Sequence, residues 1–320
     1  MQIAVVSATA EDEAYFRERL AGHDLRFHPG AADDDWAAAP GNAGTECLCV
    51  FVHDRVTPRA VAALPRLRLI ATRSTGFDHV AVSAAAQEGV TVCNVPSYGE
   101  NTVAEYTFAL ILALARNLHL SYLRGKSGDF RPEGTQGFDL KEKTVGIVGM
   151  GRIGLHVARI ARGFHMTILA ADPYPNRVYA ELLDFSYVPL EELLARSDIV
   201  TLHAPLTDST RHLLDADAVA KMKPGALLVN TSRGGLVDTA AVLAALDSGR
   251  LCGAGLDVLE NEDRLADIGE SLVRDRPNLI LTPHVAYNTR EAVRRIRETT
   301  ADNIEAFLAG RPQNVVVTGG

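Results

Sequence analysis

The sequence predicts an α/β fold made of two Rossmann-like, doubly wound parallel-sheet domains, one of them discontinuous in the chain. Three observations carry that expectation. Short β-branched runs alternate with Ala- and Leu-rich stretches of helical spacing along the 320 residues, the pattern of parallel sheets covered on both faces. A glycine-rich turn, Gly149-Met150-Gly151-Arg152-Ile153-Gly154, sits between a strand and a helix near the middle of the chain. A last long helix, Thr289 to about Leu308, follows the final strand of the second series, so it is expected to return to the first domain. The expected boundaries are 1–99 with 288–320 for one domain and 100–287 for the other.

In order, Ile3–Ser7 reads as the first strand and Glu11–Leu20 as a helix. Cys47–Val52, Leu69–Thr72 and Val90–Cys93 continue as strands, with His79–Glu88 helical before the last. From Glu100 to Leu120 apolar residues recur at Val103, Tyr106/Thr107, Leu110/Ile111 and Leu114. That spacing predicts one long helix, buried or in a subunit interface, bridging the domains. The second series opens with the strand Thr144–Val148, the glycine turn and a helix to about Gly163. The strands Thr167–Ala170, Ile199–His203, Ala226–Asn230, Gly253–Val258 and Leu279–Thr282 follow. Asp238 is expected to cap a helix Thr239–Leu246 that Gly249 ends, and Asp215 precedes Ala216–Met222, stopped by Lys223-Pro224-Gly225.

Thirty-two Lys and Arg against 40 Asp and Glu leave a net charge of −8. Such a chain has no global field to draw in a phosphodiester backbone or an anionic lipid surface, so no nucleic-acid or membrane partner is expected. Met1–Ser7 lacks the basic and apolar regions of an export signal. The apolar stretch Tyr106–Ala115 is far shorter than the ~18 residues of a membrane-spanning helix. A cytoplasmic location follows as the expectation. Cys47 and Cys49 share a strand face, Cys93 and Cys252 stand alone, and no zinc-type spacing occurs, so all four are expected as buried reduced thiols and no metal is expected.

In the glycine turn, Gly149 allows the tight bend, Gly151 lets a pyrophosphate approach the backbone and Gly154 lets helix and strand pack closely. The helix N-terminus, with Arg152 and Ile153, offers amide groups and a positive dipole end to phosphate. Asp172 stands 23 residues beyond Gly149 at a strand end, where a carboxylate accepts from ribose hydroxyls; its other reading is a turn residue before Pro173. A 2′-phosphate would meet that carboxylate with only Arg177 near to compensate, so NAD is expected over NADP.

Three further segments end strands of the same domain: Asn230-Thr231-Ser232-Arg233-Gly234-Gly235-Leu236-Val237-Asp238, Gly255-Leu256-Asp257-Val258-Leu259-Glu260-Asn261-Glu262 and Leu281-Thr282-Pro283-His284-Val285-Ala286. With Thr72-Arg73-Ser74-Thr75-Gly76-Phe77-Asp78 and Asn101-Thr102-Val103-Ala104-Glu105, these make the chain resemble the D-isomer-specific 2-hydroxyacid dehydrogenases over nearly its whole length, in the D-lactate dehydrogenase-like branch.

The resemblance implies a reversible hydride transfer between NADH and a small 2-oxo acid, carried by Arg233, Glu262 and His284. Histidine suits the proton donor because its ordinary pKa lies near operating pH. Glu262 would bond the far imidazole nitrogen and orient it; Glu260 competes for that role if the loop register shifts. Arg233 offers a planar, permanently charged fork for the substrate carboxylate and carbonyl. The resemblance further implies that 1–99 with 288–320 is the substrate (catalytic) domain and 100–287 the NAD-binding domain. Backbone groups of Thr75 and Gly76 would bind the substrate carboxylate. Tyr98 would face the substrate or pack as a hinge aromatic. His203, Ala204, Pro205 and Thr210 would line the adenine and ribose side. Thr231, Ser232 and Arg233 would flank the nicotinamide ribose, and Asp257, with His284 nearby, would bind the carboxamide.

Departures narrow the substrate. Glu262 in place of the glutamine of formate dehydrogenases argues against formate. No regulatory domain of the serine-regulated phosphoglycerate dehydrogenases is expected after the last helix. Tyr287 and Asn288 after His284 look closer to the lactate-type branch, which favours pyruvate. Glyoxylate/hydroxypyruvate reductase or phosphoglycerate-type activity is the alternative, and a non-enzymatic, corepressor-like NAD-binding protein the reading from another class. The resemblance and the apolar Asn101–Leu120 stretch together point to a homodimer.

Overall fold

The computed structural model describes residues 1–260, 262 and 265–318; Asn261 of the second motif lies outside them. The chain divides into two compact units, Met1–Tyr98 with Thr289–Gly320, and Gly99–Asn288. Its strands are β1 (Gln2–Val5), β2 (Asp24–Phe27), β3 (Cys47–Val50), β4 (Leu69–Thr72), β5 (Thr91–Cys93), β6 (Thr144–Val148), β7 (Thr167–Ala171), β8 (Ser186–Tyr187), β9 (Ile199–Leu202), β10 (Ala226–Asn230), β11 (Leu251–Leu256), β12 (Leu279–Leu281) and β13 (Val315–Val317).

The first unit holds a six-stranded sheet in the order β13-β5-β4-β3-β1-β2, parallel except for β13, which runs antiparallel to β5. β3 and β4 are buried at every position, because helices cover both faces of the sheet and leave no polar side to alternate with. The helix Arg290–Leu308 packs on it beside Ala10–Arg19, through Ala301 and Ile304 against Phe16 and Leu20. A buried ion cluster completes that junction. Arg73 is 3% exposed; its Nη1 donates to Asp12 Oδ2 at 2.7 Å and its Nη2 to the carbonyls of Val6 and Ser7. Arg297 Nε reaches Asp12 Oδ1 at 2.7 Å from the C-terminal helix. Burial alone would push the Asp12 carboxyl up, but Arg73 and Arg297 outweigh it and hold it below the ordinary range.

The second unit holds a seven-stranded, all-parallel sheet in the order β12-β11-β10-β9-β6-β7-β8. The chain departs from β6 to one side and resumes at β9 on the other, which leaves a crevice at the carboxyl ends of these two neighbours. The helix Glu100–Ala115 lies across β10 and β11, with Leu110 and Leu114 set against Gly253 and Gly255.

Four features differ from the sequence expectation. The apolar stretch 100–120 is not one helix: it stops at Ala115, passes Asn117 in the left-handed region at φ 47° and restarts as Leu118–Lys126. Apolar spacing does not register the break, which depends on the chain leaving the sheet and on Asn tolerating that backbone. The second piece is open to solvent, with Leu118 62%, Tyr122 65% and Leu123 60% exposed. Cys252 is exposed while the other three cysteines are buried. The pairing steps from Ala226↔Leu251 to Leu227↔Gly253, and Cys252 is the extra residue of that bulge. The helix expected over 79–88 is shorter, Val82–Gln87, and the edge strands β2, β8 and β13, of four, two and three residues, are too short to stand out.

Candidate active site

At the crevice, Gly149 has φ +93°, and a β-carbon there would stand 2.6 Å from Ala204 N and 2.7 Å from His203 C. The turn after β6 therefore closes directly on the end of β9, which only glycine permits. A β-carbon on Gly154 would stand 2.2 Å from Gly149 O, so the helix Arg152–Gly163 abuts the turn. Gly151 differs: a β-carbon there meets nothing within 4 Å, and no side chain caps the helix behind it. An uncapped helix start with room beside Gly151 suits a pyrophosphate, which would accept from the first-turn amides. Arg152 points outward and its Nη1 donates to Glu100 Oε1 at 3.2 Å, while Ile153 packs against the core.

Asp172 accepts from Met150 N at 2.7 Å and from Tyr174 N at 2.8 Å. It is thus a turn residue and also a carboxylate fixed beside the glycine turn, with lone pairs to spare for a hydroxyl. His203 Nε2 shares a hydrogen bond with Thr201 Oγ1 at 2.9 Å, and its buried Nδ1 has no partner among the described residues. Burial pushes the His203 imidazole down to about 3, so it is neutral near pH 7. Thr210 Oγ1 donates to Pro205 O at 2.7 Å and fixes the loop after β9. Ser232 Oγ donates to Ala204 O at 2.7 Å, and Thr231 Oγ1 meets Thr107 Oγ1 at 2.9 Å, joining the end of β10 to β9 and to the covering helix.

The catalytic candidates leave three adjacent strands at the same edge, since Asn230 pairs with Leu256 and Leu256 with Leu281. Arg233 follows β10 on a turn held by Asn230 Nδ2 to Arg233 O, 2.8 Å. Asp257 follows β11 directly and is 1% exposed. His284 follows β12, and its Nδ1 lies 2.8 Å from Glu262 Oε2. Because a carboxylate only accepts, Nδ1 carries the hydrogen. His284 has φ +52°, a strained backbone for a residue with a β-carbon. Asp257 stabilises it: its carbonyl accepts from His284 N at 2.8 Å, and its carboxylate accepts from Thr282 Oγ1 at 2.6 Å, Val285 N at 2.9 Å and Ala286 N at 2.8 Å. Burial raises the Asp257 pKa against the lowering effect of those donors. Most of the Asp257 hydrogen-bonding capacity is therefore spent on the His284 turn, a use that sequence reading did not foresee.

Glu260 bonds His212 Nε2 at 2.8 Å, whereas Glu262 is the one of the two glutamates with a hydrogen bond to His284 among those described. His212 was missed because a lone histidine in a loop has no periodic signature.

Thr75, Gly76 and Tyr98 belong to the first unit, whereas Arg233, Glu262 and His284 belong to the second. Thr75 Oγ1 donates to Val95 O at 2.7 Å, Ser74 Oγ donates to Gly76 O at 2.6 Å, and Asn94 Nδ2 donates to Thr75 O at 2.8 Å. Tyr98 O accepts from Arg295 of the returning helix. Among the described residues no group of three or more His, Cys, Asp or Glu is placed to hold a metal ion, and no helix is long and apolar enough to cross a membrane.

The residues present thus fit a dinucleotide: an open glycine turn, an uncapped helix start and a carboxylate at its side. Residues 108–286 match the family model described as D-isomer specific 2-hydroxyacid dehydrogenase, NAD binding domain. The chain is 42% identical over 289 residues to a D-lactate dehydrogenase of Curvularia clavata, covering 86% of this chain and 82% of the relative. It is 39% identical over 276 residues to a glyoxylate reductase of Korarchaeum cryptofilum, covering 85% and 82%. The structure of a D-lactate dehydrogenase from Aquifex aeolicus, complexed with NAD and lactic acid, superposes with a TM-score of 0.91 at 32% identity over 100% of both chains. The chain belongs to the D-isomer-specific 2-hydroxyacid dehydrogenase family and is an NAD-dependent oxidoreductase acting on the CH–OH group of 2-hydroxy acids.

Proposed function

We propose that the chain interconverts pyruvate, or a 2-oxo acid of similar size, and its D-2-hydroxy acid, with His284 as acid and base, Glu262 as its orienting carboxylate and Arg233 as the substrate's guanidinium fork. The observation that carries this reading is the 2.8 Å His284–Glu262 pair on a turn braced by Asp257. NAD supplies the hydride donor and acceptor when bound. In the reducing direction protonated His284 donates to Glu262 through Nδ1 and delivers the Nε2 proton to the carbonyl oxygen. The Glu262 carboxylate holds the imidazole by Nδ1 with Nε2 free for the transfer, and in the oxidising direction neutral His284 recovers the proton. Arg233 binds the carboxylate through paired N–H donors and stabilises charge growing on the oxygen, which makes the carbonyl carbon a better hydride acceptor. Thr75 and Gly76, with Tyr98, are proposed as substrate ligands from the first unit, which serves as the substrate domain.

The substrate is tested by kcat/KM for pyruvate, hydroxypyruvate and glyoxylate, each with NADH and NADPH. Pyruvate with NADH is expected to lead. A higher kcat/KM for glyoxylate or hydroxypyruvate would transfer the assignment to the second reading, which the glyoxylate reductase relative favours. In Asp172→Ala the preference for NADH over NADPH is expected to fall about tenfold, as for the loss of one charge-assisted hydrogen bond of about 1.4 kcal/mol. An unchanged ratio would remove Asp172 from cofactor choice.

We also propose a homodimer, supported by the exposed cluster Leu118, Tyr122 and Leu123 with Phe130, 85% exposed, on one unit. Large apolar side chains exposed this close together in the chain fit an association face. Sedimentation at micromolar concentration is expected to give twice the chain mass of 34.4 kDa; a monomer would overturn the dimer.

A further inference from the structure

Two residues before Glu262, the same loop carries a second carboxylate–imidazole pair. His212 Nε2 donates to Glu260 Oε1 at 2.8 Å, from a segment 48 residues earlier in the chain. Arg211 is the other charged neighbour, with Nη1 3.9 Å from the same oxygen. The His212 backbone lies in the left-handed region at φ +49°, where glycine sits without strain and a residue with a β-carbon does not. What that residue delivers in return is its imidazole.

The main chain of His212 serves a second attachment. Its amide donates to Gly235 O at 2.8 Å and Leu214 N donates to Leu236 O at 3.0 Å, both acceptors being in the turn that begins at Arg233. That turn and the glutamate loop also touch directly, since a β-carbon on Gly234 would stand 2.0 Å from Leu259 C and 2.1 Å from Leu259 O. One residue is therefore tied by its backbone to the turn of Arg233 and by its side chain to the loop of Glu262. A catalytic group on a loop keeps its geometry only if surrounding contacts hold the loop to within about 0.5 Å.

We infer that the His212–Glu260 pair is a positioning clamp, which fixes the loop of Glu262 against the turn of Arg233 and so sets the reach of Glu262 to His284. The inference rests on the reading of Glu262 and His284 proposed above. Neither member of the clamp acts on substrate or cofactor, so breaking it slows turnover and leaves binding alone.

Steady-state kinetics, NADH titration and melting curves of five variants test this: Glu260→Ala, Glu260→Gln, His212→Gly, Glu262→Ala and the double variant Glu260→Ala/Glu262→Ala. Glu260→Ala and His212→Gly are expected to lower kcat about tenfold, the cost of a modest misplacement, with KM and the NADH dissociation constant within about twofold. His212→Gly suits its backbone, so it is expected to melt no earlier than the wild type. In Glu260→Gln the amide oxygen still accepts from His212, and at least about half of kcat is expected to return. Once the Glu262 carboxylate is truncated to alanine the clamp has nothing to position, so the double variant is expected to be no slower than Glu262→Ala, a non-additivity that general loosening of the fold would not produce. Wild-type kcat in Glu260→Ala and His212→Gly beside a slow Glu262→Ala would overturn the clamp alone, and so would fully additive losses in the double variant. A Glu262→Ala enzyme as fast as the wild type would overturn the underlying reading, and the clamp with it.

Discussion

His284→Gln is expected to lower kcat for 2-oxo acid reduction by about 10²–10⁴-fold, the usual contribution of a positioned acid, while the NADH dissociation constant stays within about twofold. The separation of the two effects follows from how the turn is built. Three of its backbone amides, those of His284, Val285 and Ala286, are held by Asp257, and Thr282 braces the same carboxylate. None of these bonds uses the imidazole, so the substitution leaves the turn in place and removes only the group that exchanges a proton. Glutamine can still donate to Glu262 but has no proton to surrender near pH 7. Turnover within about threefold of wild type would exclude His284 as the acid.

Arg233→Lys is expected to lower kcat/KM for the preferred 2-oxo acid on the order of 10²-fold, with a rise in KM as well as a fall in kcat. Lysine keeps the charge and loses the planar fork, so the loss measures paired hydrogen bonding; two charge-assisted bonds of about 1.5 kcal/mol each supply that factor. The Arg233 turn is held by Asn230 Nδ2 on the backbone carbonyl and by the fit of Gly234 against Leu259, so the backbone is expected to stay put. Because Arg233 is proposed to bind the substrate carboxylate in the ground state and also to stabilise charge that grows only in the transition state, both parameters are expected to move, unlike the clamp variants, which are expected to change kcat alone. A kcat/KM within about threefold of wild type would show that charge without geometry is enough, and would remove the fork from the mechanism.

Much of this site is legible in the sequence because its groups come just after β-strands whose apolar runs are easy to find. Gly149, Gly151 and Gly154 are recognisable by their spacing, and Arg233, Asp257 and His284 by their place after the runs that became β10, β11 and β12. What escapes is set by tertiary contacts. Whether Glu260 or Glu262 meets the histidine is a matter of loop geometry: Glu260 bonds His212 and Glu262 bonds His284. The use of the Asp257 carboxylate to hold the His284 turn depends on two backbone amides that no side-chain pattern reveals. The end of the helix at Ala115 fails to show for the opposite reason: Leu118 and Leu120 prolong an apolar pattern after the structure has stopped burying it. Cys252 is thrown outward by a one-residue bulge that leaves strand propensity unchanged.

The closing of the first sheet by the end of the chain bears on biosynthesis. As the polypeptide leaves the ribosome, β5 emerges with its outer edge unpaired, and Arg73 and Asp12 lack their third member until residue 297 appears. The segment Gly99–Asn288 is fully translated before that, so it has the means to mature on its own while the N-terminal portion waits, unfinished, outside the exit tunnel. The Thr75 loop waits with it, because Asn94 donates to Thr75 O while its backbone and carbonyl engage Asn314 and Asn303. Nascent chains are thus expected to complete the hydrogen bonds that hold the Thr75 loop only once Asn303 and Asn314 have been added, and until then the bare strand edge is the part most in need of a chaperone.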